Sequence, residues 1–188
     1  MIVKLVNYTQ NNKDMTLFDQ VAYCARVSNP SNQSNKDNKK LIRYLIKNKH
    51  WSPFEMVNVC LEIQTTRDIA KQILRHRSFS FQEFSQRYAQ PKELGAMFSV
   101  RECRLQDKVN RINTDNKALT KQWTDKQQEI IDKSREVYEW AIENGIAKEQ
   151  ARAVLPEGCT NTKLYMNGTL RSWMHYILLR RENGTQKE

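Results

Sequence analysis

Glycine is scarce in this chain of 188 residues, which contains only five glycines. A dinucleotide-binding turn requires the pattern G-x-G-x-x-G, and a P-loop requires G-x-x-x-x-G-K followed by serine or threonine. Neither pattern occurs in the sequence. Any nucleotide that the chain binds must therefore be held mainly by side chains rather than by a glycine-rich backbone loop.

Closely spaced metal ligands are also missing. The four cysteines lie far apart, at positions 24, 60, 103 and 159, so no C-x-x-C redox or zinc-knuckle spacing exists. There are only three histidines, and none belongs to an H-x-x-x-H or H-x-x-E pattern. We therefore predict that the protein has no metal site.

Long apolar runs are absent as well. No stretch approaches the ~20 apolar residues that a membrane-spanning helix needs. The N-terminal segment MIVKLVNYTQNNKD turns polar too early for a signal peptide. We expect a cytoplasmic protein with reduced thiols and no membrane partner.

The chain carries a formal charge of +10, from 31 Lys and Arg against 21 Asp and Glu. Such a surplus of positive charge favours binding of either a nucleic-acid backbone or small anionic substrates in a cleft. Composition alone does not choose between these two classes of ligand. The length predicts one domain over residues 1–188.

Hydrophobic periodicity predicts an α+β chain with helix in excess. Apolar residues recur at helical spacing over 15–26, 39–47, 67–75, 120–144, 147–155 and 170–181. Asp14 is the expected N-cap of the first of these helices. Strands are predicted at 2–6, 56–66 and 162–166, with a weak one within 96–106, and residues 78–92 are predicted to form a structured loop.

The most unusual segment runs from Arg75 to Tyr88. It combines three arginines and a histidine with three phenylalanines, several hydroxyls and one carboxylate. Arginine grips phosphate through two parallel hydrogen bonds, and aromatic rings offer a stacking surface. The segment therefore indicates a site for a nucleotide or a dinucleotide cofactor. The alternative is a solvated basic turn that its phenylalanines anchor to the core.

Arginines and histidines elsewhere offer further candidates. Arg171 and Arg180 are nine residues apart in the last predicted helix, which places them on opposite sides of it. One of them can face a ligand while the other faces elsewhere. Arg152 is a third candidate, and the alternative for each is a surface arginine. His50 and His175 are either functional residues or core residues whose hydrogen bonds are made within the protein.

These residues carry a resemblance to a known family. Arg75-His76-Arg77, followed by Ser85 after seven residues, resembles the R-H-R-x7-S signature of the flavin-dependent thymidylate synthases. Other segments resemble the family in the same order and with similar spacing: 25–28, 50–55, 150–156, 167–180 and 184–188. The similarity extends over nearly the whole chain.

The resemblance implies reductive methylation of dUMP to dTMP. Methylenetetrahydrofolate would donate the carbon, FAD would relay the hydride and NADPH would reduce the flavin. It also implies a helix-rich α+β domain with a small, mainly antiparallel sheet, assembled as a homotetramer whose active sites form between subunits. We expect it in the cytoplasm of a microbe, or of a virus-infected microbial host.

Residue roles follow from the resemblance one at a time. The implied dUMP contacts are Gln72, Arg75, Glu83, Phe84, Ser85, Gln86, Arg87, Arg152 and Arg180, with the stretch 83–87 coming from another subunit. The implied FAD contacts are His50, Ser52, Arg75, His76, Arg77, Glu83, Arg171 and His175. Arg180 is the implied catalytic residue, because a fixed cation beside the uracil favours ionisation at N3.

Ser85 is expected to bind or orient dUMP rather than to attack it, because a serine nucleophile requires an adjacent base and the sequence offers none. The chain departs from the family at two places. Gln82 stands where the family often has Asn. The family usually continues with another helix after the segment that ends here at Glu188, so we expect a minimal version or a shortened chain.

Two other functions compete with the enzyme. A nucleic-acid-binding protein would explain the charge and the interleaved arginines and phenylalanines, and it predicts salt-sensitive oligonucleotide binding without flavin. The arginines fall in separate segments, however, and no known nucleic-acid module appears. The second alternative is a family member that binds FAD and dUMP but has lost turnover.

Overall fold

The computed structural model describes residues 1–11, 14–106 and 111–182. The described helices are α1 (Leu17–Ala25), α2 (Asn38–Lys47), α3 (Arg67–Ile73), α4 (Lys117–Glu143), α5 (Lys148–Ala151) and α6 (Leu170–Arg180). The described strands are β1 (Ile2–Tyr8), β2 (Asn58–Thr66), β3 (Ser80–Glu83), β4 (Arg104–Gln106), β5 (Arg111–Asn113) and β6 (Asn161–Thr169).

Four of these strands form the central sheet, in the order β1-β2-β6-β3, and every neighbouring pair is antiparallel. Strands β4 and β5 form a separate antiparallel hairpin. The predicted α+β class, with helix in excess and a small antiparallel sheet, is confirmed. Within the described ranges, no helix is long and apolar enough to cross a membrane.

Two strand-to-helix junctions place the elements that carry the predicted site. Strand β2 continues directly into α3, and β6 continues directly into α6. Because β2 and β6 are antiparallel, the two helices start from opposite ends of the sheet. Both helices pack on one sheet face, in a core of Ile63, Ile69, Ala70, Ile73, Phe79, Leu164, Met166 and Trp173. This arrangement brings the C-terminal ends of α3 and α6 together.

Two smaller cores complete the packing. Helix α1 packs against α2 and against a 3₁₀ helix (Ser52–Met56), with a core of Val21, Ala22, Ile42, Leu45, Phe54 and Val57. The long helix α4 packs against α5 through Tyr138, Ala141, Ala151 and Leu155, together with Met97. The predicted apolar faces are confirmed only in part: Val21 and Ala22 of α1, Ile42 and Leu45 of α2 and Ile131 and Tyr138 of α4 are buried. Phe18 of α1 and Trp123 and Ile130 of α4, which the helical spacing also placed on these faces, are exposed.

The structure corrects several predicted boundaries. The N-cap of α1 is Thr16 and not Asp14: its hydroxyl accepts the Asp19 backbone N–H, and the Asp19 carboxylate in turn accepts the Thr16 N–H. The segment 78–92 is not all loop, since it contains β3. Of 96–106, only β4 is a strand, and Phe98 makes a single bridge to Thr160. Helix α4 begins three residues earlier than predicted, at Lys117.

Candidate active site

Three of the predicted site residues meet where α3 and α6 end. Arg180 donates through Nε to Nε2 of His76 over 3.0 Å. Its Nη2 donates to the backbone carbonyl of Gln72 over 3.1 Å. Gln72 lies in the last turn of α3, and His76 lies three residues beyond that helix. Arg180, which is predicted to contact uracil, is thus held by Gln72 and His76. Gln72 is a predicted dUMP contact, and His76 is a predicted FAD contact.

His76 is kept neutral by its surroundings. Burial, and then the neighbouring Arg180 guanidinium, lower the pKa of His76 below its ordinary value. The edge of the Tyr176 ring packs against the imidazole, with the two ring centroids 4.7 Å apart. Burial raises the pKa of Tyr176, so this neighbour is also uncharged near neutral pH.

Arg75 and Arg77 flank His76 and are both exposed. Within the part of the chain that the structure describes, neither side chain has a hydrogen-bond or ion-pair partner. Arg67, by contrast, is paired with Glu83. Two unpaired guanidinium groups, on the residues that flank His76 in sequence, provide positive charge for a phosphate or another anion.

Glu83 lies at the end of β3 and is already engaged. Its Oε1 is 3.3 Å from Nη1 of Arg67 and accepts the hydroxyl of Thr162 over 2.9 Å. Thr162 lies on the neighbouring strand β6 and is fully buried. A carboxylate held in this way keeps its remaining lone pairs in a fixed direction, which suits it to accept hydrogen bonds from a ligand.

A second group forms where the Ser52–Met56 turn meets the start of α6. The rings of Trp51 and His175 pack edge to face, with centroids 4.8 Å apart. Arg171 forms an ion pair with Glu55. His50 and Ser52 flank Trp51 and are exposed. The structure thus brings together the four predicted FAD contacts that lie outside the Arg75–Glu83 region.

Helix α6 separates the two groups. Arg171 points toward the Ser52–Met56 turn, whereas Arg180 points toward the end of α3. The prediction that these two arginines lie on opposite sides of one helix is confirmed. Between them, the Ser172 hydroxyl donates to the Ser78 carbonyl over 3.0 Å, which ties α6 to the turn that carries Arg77.

The predicted dUMP contacts after β3 form a third group, on a turn that packs toward α5. The Ser85 carbonyl accepts the backbone N–H groups of Tyr88 and Ala89, and Lys148 of α5 donates to the Tyr88 carbonyl over 2.9 Å. The Arg87 guanidinium lies over the Tyr88 ring, 5.2 Å from its centroid. Phe84 is half-buried, and its backbone N–H donates to the Lys163 carbonyl of β6.

Two further members of this third group have unused polar atoms. Gln86 is buried, and its Nε2 has no hydrogen-bond partner. The Arg152 Nε donates only to the Glu149 carbonyl, over 3.3 Å. Among the described residues, the Ser85 hydroxyl has no partner, so no base stands beside it. No hydrogen bond or ion pair joins these side chains to Arg180 within the described ranges.

The contacts of the predicted residues therefore fall into three groups. A cavity of about 560 Å³ lies elsewhere, lined by residues that include Gln64, Arg101 and Lys163, and it contains no predicted site residue. Sequence reasoning missed four side chains that hold the predicted ones in place: Trp51, Arg67, Thr162 and Tyr176. Trp51 and Tyr176 carry a signal, because they lie inside the segments 50–55 and 167–180.

Comparisons with known proteins identify the family of the chain. Residues 4–188 match the model of a family described as thymidylate synthase complementing protein. A flavin-dependent thymidylate synthase from Synechocystis is 52% identical over 171 residues, which cover 89% of this chain and 77% of that protein. A probable flavin-dependent thymidylate synthase from Paramecium bursaria Chlorella virus 1 is 49% identical over 177 residues, covering 92% and 80%.

A solved structure shares the fold. The UMP/dUMP methylase PolB from Streptomyces cacaoi, bound with 5-Br UMP, superposes with a TM-score of 0.81 at 28% identity, covering 100% of this chain and 79% of that one. Fold and sequence thus define an enzyme of the nucleotide-methylating class. The chain belongs to the family of flavin-dependent thymidylate synthases, and the resemblance drawn from the sequence is confirmed.

Proposed function

We propose that this protein converts dUMP to dTMP with methylenetetrahydrofolate as carbon donor, FAD as hydride relay and NADPH as the final reductant. Family membership supports the reaction, and PolB is a relative that methylates UMP and dUMP. The observation that carries the proposal is the convergence of Gln72, His76 and Arg180, with unpaired arginines at the two sequence neighbours of His76, Arg75 and Arg77.

The donor set fits FAD. Its diphosphate needs cationic or N–H and O–H donors, and the chain has no glycine-rich loop to supply them from the backbone. Exposed side chains provide such donors instead: His50, Ser52, Arg75, Arg77, Arg171 and His175. His76 and Glu83 complete the proposed set. Bound FAD would supply the two-electron carrier that a change from methylene to methyl requires.

Different arginines are assigned to different parts of dUMP. We assign the phosphate to Arg75, Arg87 and Arg152, whose guanidinium groups have no carboxylate partner within the described ranges. We assign the uracil to Arg180. A fixed guanidinium beside the ring stabilises negative charge at N3 and so makes C5 more nucleophilic toward the one-carbon unit.

The complete site is proposed to form between subunits of a homotetramer. Within the described ranges of one chain, no hydrogen bond or ion pair joins the side chains of the Ser85–Arg87 turn to Arg180, although both groups are assigned to dUMP. The edge strand β1 supports assembly because its apolar side chains are exposed: Ile2, Val3, Leu5, Val6 and Tyr8 are each at least 45% exposed. An apolar edge of this kind is normally covered by another chain.

Visible absorption of the purified protein tests the binding part of the proposal. We expect an oxidised-flavin spectrum that shifts on addition of dUMP. Arg75→Gln should weaken the dUMP response, whereas Arg181→Gln, which removes an exposed charge from the end of α6, should not. A colourless protein that fails to take up added FAD and instead binds oligonucleotides would support the nucleic-acid alternative.

A further inference from the structure

The Arg180 side chain is fixed by two contacts with a segment far away in sequence. Its Nε donates to His76 Nε2 over 3.0 Å, and its Nη2 donates to the Gln72 carbonyl over 3.1 Å. The second acceptor is part of the α3 backbone and cannot be changed by mutation of a side chain. The first acceptor is an imidazole, and its capacity to accept depends on where its proton lies.

The remaining donors of Arg180 stay available to a ligand. A planar guanidinium carries five N–H groups in a rigid fork. Nε–H and one N–H of Nη2 are used by His76 and Gln72, so three N–H groups have no partner among the described residues. Because the fork is rigid, fixing two donors also fixes the direction of the other three.

The contact defines the protonation state of His76. Arginine has donors and no acceptor, so the Nε2 that receives the Arg180 N–H must carry a lone pair. The imidazole is therefore neutral, with its proton on Nδ1. The charged group in contact with it is the Arg180 guanidinium of α6. Arg75 and Arg77 are its neighbours in sequence. The remaining aromatic neighbour, Tyr176, is uncharged. No described carboxylate pairs with His76.

We propose that His76 is a positioning residue for Arg180, whose neutral imidazole aims the free guanidinium N–H groups at the pyrimidine of the nucleotide. The inference rests on the proposed function, because Arg180 is assigned to uracil there. It gives His76 a task separate from any contact with FAD. Loss of the Nε2 acceptor should leave Arg180 in place along the chain but without a fixed direction.

The tautomer of His76 is the first test. The chain has only three histidines, so ¹⁵N-histidine labelling of the FAD-saturated protein gives few signals, and His76→Gln identifies the one that matters. We expect an imidazole protonated on Nδ1 at pH 7, which changes to the Nε2–H form in Arg180→Ala. An Nε2–H imidazole or an imidazolium in the wild-type protein would overturn the inference.

A double-mutant cycle on dUMP affinity is the second test. His76→Ala should weaken dUMP binding by about tenfold, as loss of one well-placed hydrogen bond to a charged group does. His76→Gln retains an acceptor oxygen and should recover part of that loss. In the Arg180→Ala background, His76→Ala should cause no further loss, because His76 acts on the nucleotide only through Arg180. FAD occupancy is measured in each variant so that affinities are compared at equal flavin content.

The outcomes separate this inference from the proposed function. If the wild-type protein binds no dUMP, the proposed function fails, while the ¹⁵N spectrum still reports the contact between His76 and Arg180. If the wild-type protein binds dUMP and the losses from His76→Ala and Arg180→Ala simply add, the positioning role fails alone. Arg181→Lys serves as the control for a change of cation at the end of α6, and it should bind dUMP like the wild type.

Discussion

The ring of Phe79 packs directly against the backbone of Gly168. A β-carbon on Gly168 would lie 2.4 Å from Cδ1 and 2.7 Å from Cε1 of that ring. Phe79 also packs edge to face against Trp173 and Tyr176 of α6, with centroids 4.8 and 5.8 Å apart. The absence of a side chain at Gly168 therefore lets the turn after Arg75-His76-Arg77 close onto the sheet and onto α6.

Gly168→Ala tests this close approach. The added methyl must push the buried Phe79 ring aside, and overpacking of this kind costs about 1–3 kcal/mol of the free energy of unfolding. Denaturant unfolding measures the loss. Gly158→Ala is the matched control, because a β-carbon there meets nothing within 4 Å. Equal stability of the two variants would contradict the packing described for Phe79.

Thr162→Val tests whether Glu83 must be held in place. The change removes the hydroxyl that donates to Glu83 Oε1 and nearly preserves the side-chain volume. We expect a loss of about 1 kcal/mol in unfolding free energy and weaker binding of FAD and dUMP, measured by flavin absorbance. Thr124→Val on α4 removes a hydroxyl that bonds only the Thr120 carbonyl, and it should leave both affinities unchanged.

The lowered pKa of His76 predicts that the free energy of unfolding depends on pH in the acid range. Burial and the Arg180 guanidinium lower the pKa of His76 below the ordinary value of 6.5, so the unfolded chain takes up this proton more readily than the folded one. Above pH 6.5 His76 is largely neutral in both states and leaves the free energy of unfolding unchanged. As the pH drops below 6.5, the unfolded chain binds the proton first and the free energy of unfolding falls. Denaturant unfolding across this range should show a shallower decline for His76→Gln. Parallel declines for the two proteins would contradict the lowered pKa.

Ser85→Ala separates binding from covalent catalysis. No described base contacts the Ser85 hydroxyl, so we expect weaker dUMP affinity and measurable turnover at saturating dUMP. Steady-state rates over a range of dUMP concentrations separate the two effects. Complete loss of turnover with unchanged dUMP affinity would instead make Ser85 a nucleophile.

Local patterns were sufficient to predict most elements. The alternation in β2 and the helical spacing in α2, α4 and α6 depend on neighbours in sequence, and those elements exist. The opposite directions of Arg171 and Arg180 follow from helix geometry alone. The cap of α1 is also readable from the sequence, since Thr16 precedes Asp19 by the spacing of a capping box, and this spacing favours Thr16 over Asp14.

Long-range pairing explains what was missed. Strand β3 has only four residues, and it is a strand because it pairs with β6, about 80 residues further along the chain. The contact between His76 and Arg180 spans 104 residues, and no local signal encodes it. The signature predicted that both residues belong to a site, and the structure shows which atoms of the two side chains meet.

Turnover tests the central claim most directly. The purified protein is incubated with dUMP, FAD, NADPH and methylenetetrahydrofolate labelled with ¹³C in the methylene group, and the nucleotides are analysed by mass spectrometry. We expect dTMP that carries the label, dependent on both the flavin and the reductant. If the protein binds FAD and dUMP but forms no labelled dTMP, the chain is a family member without this activity, and the proposed function is wrong.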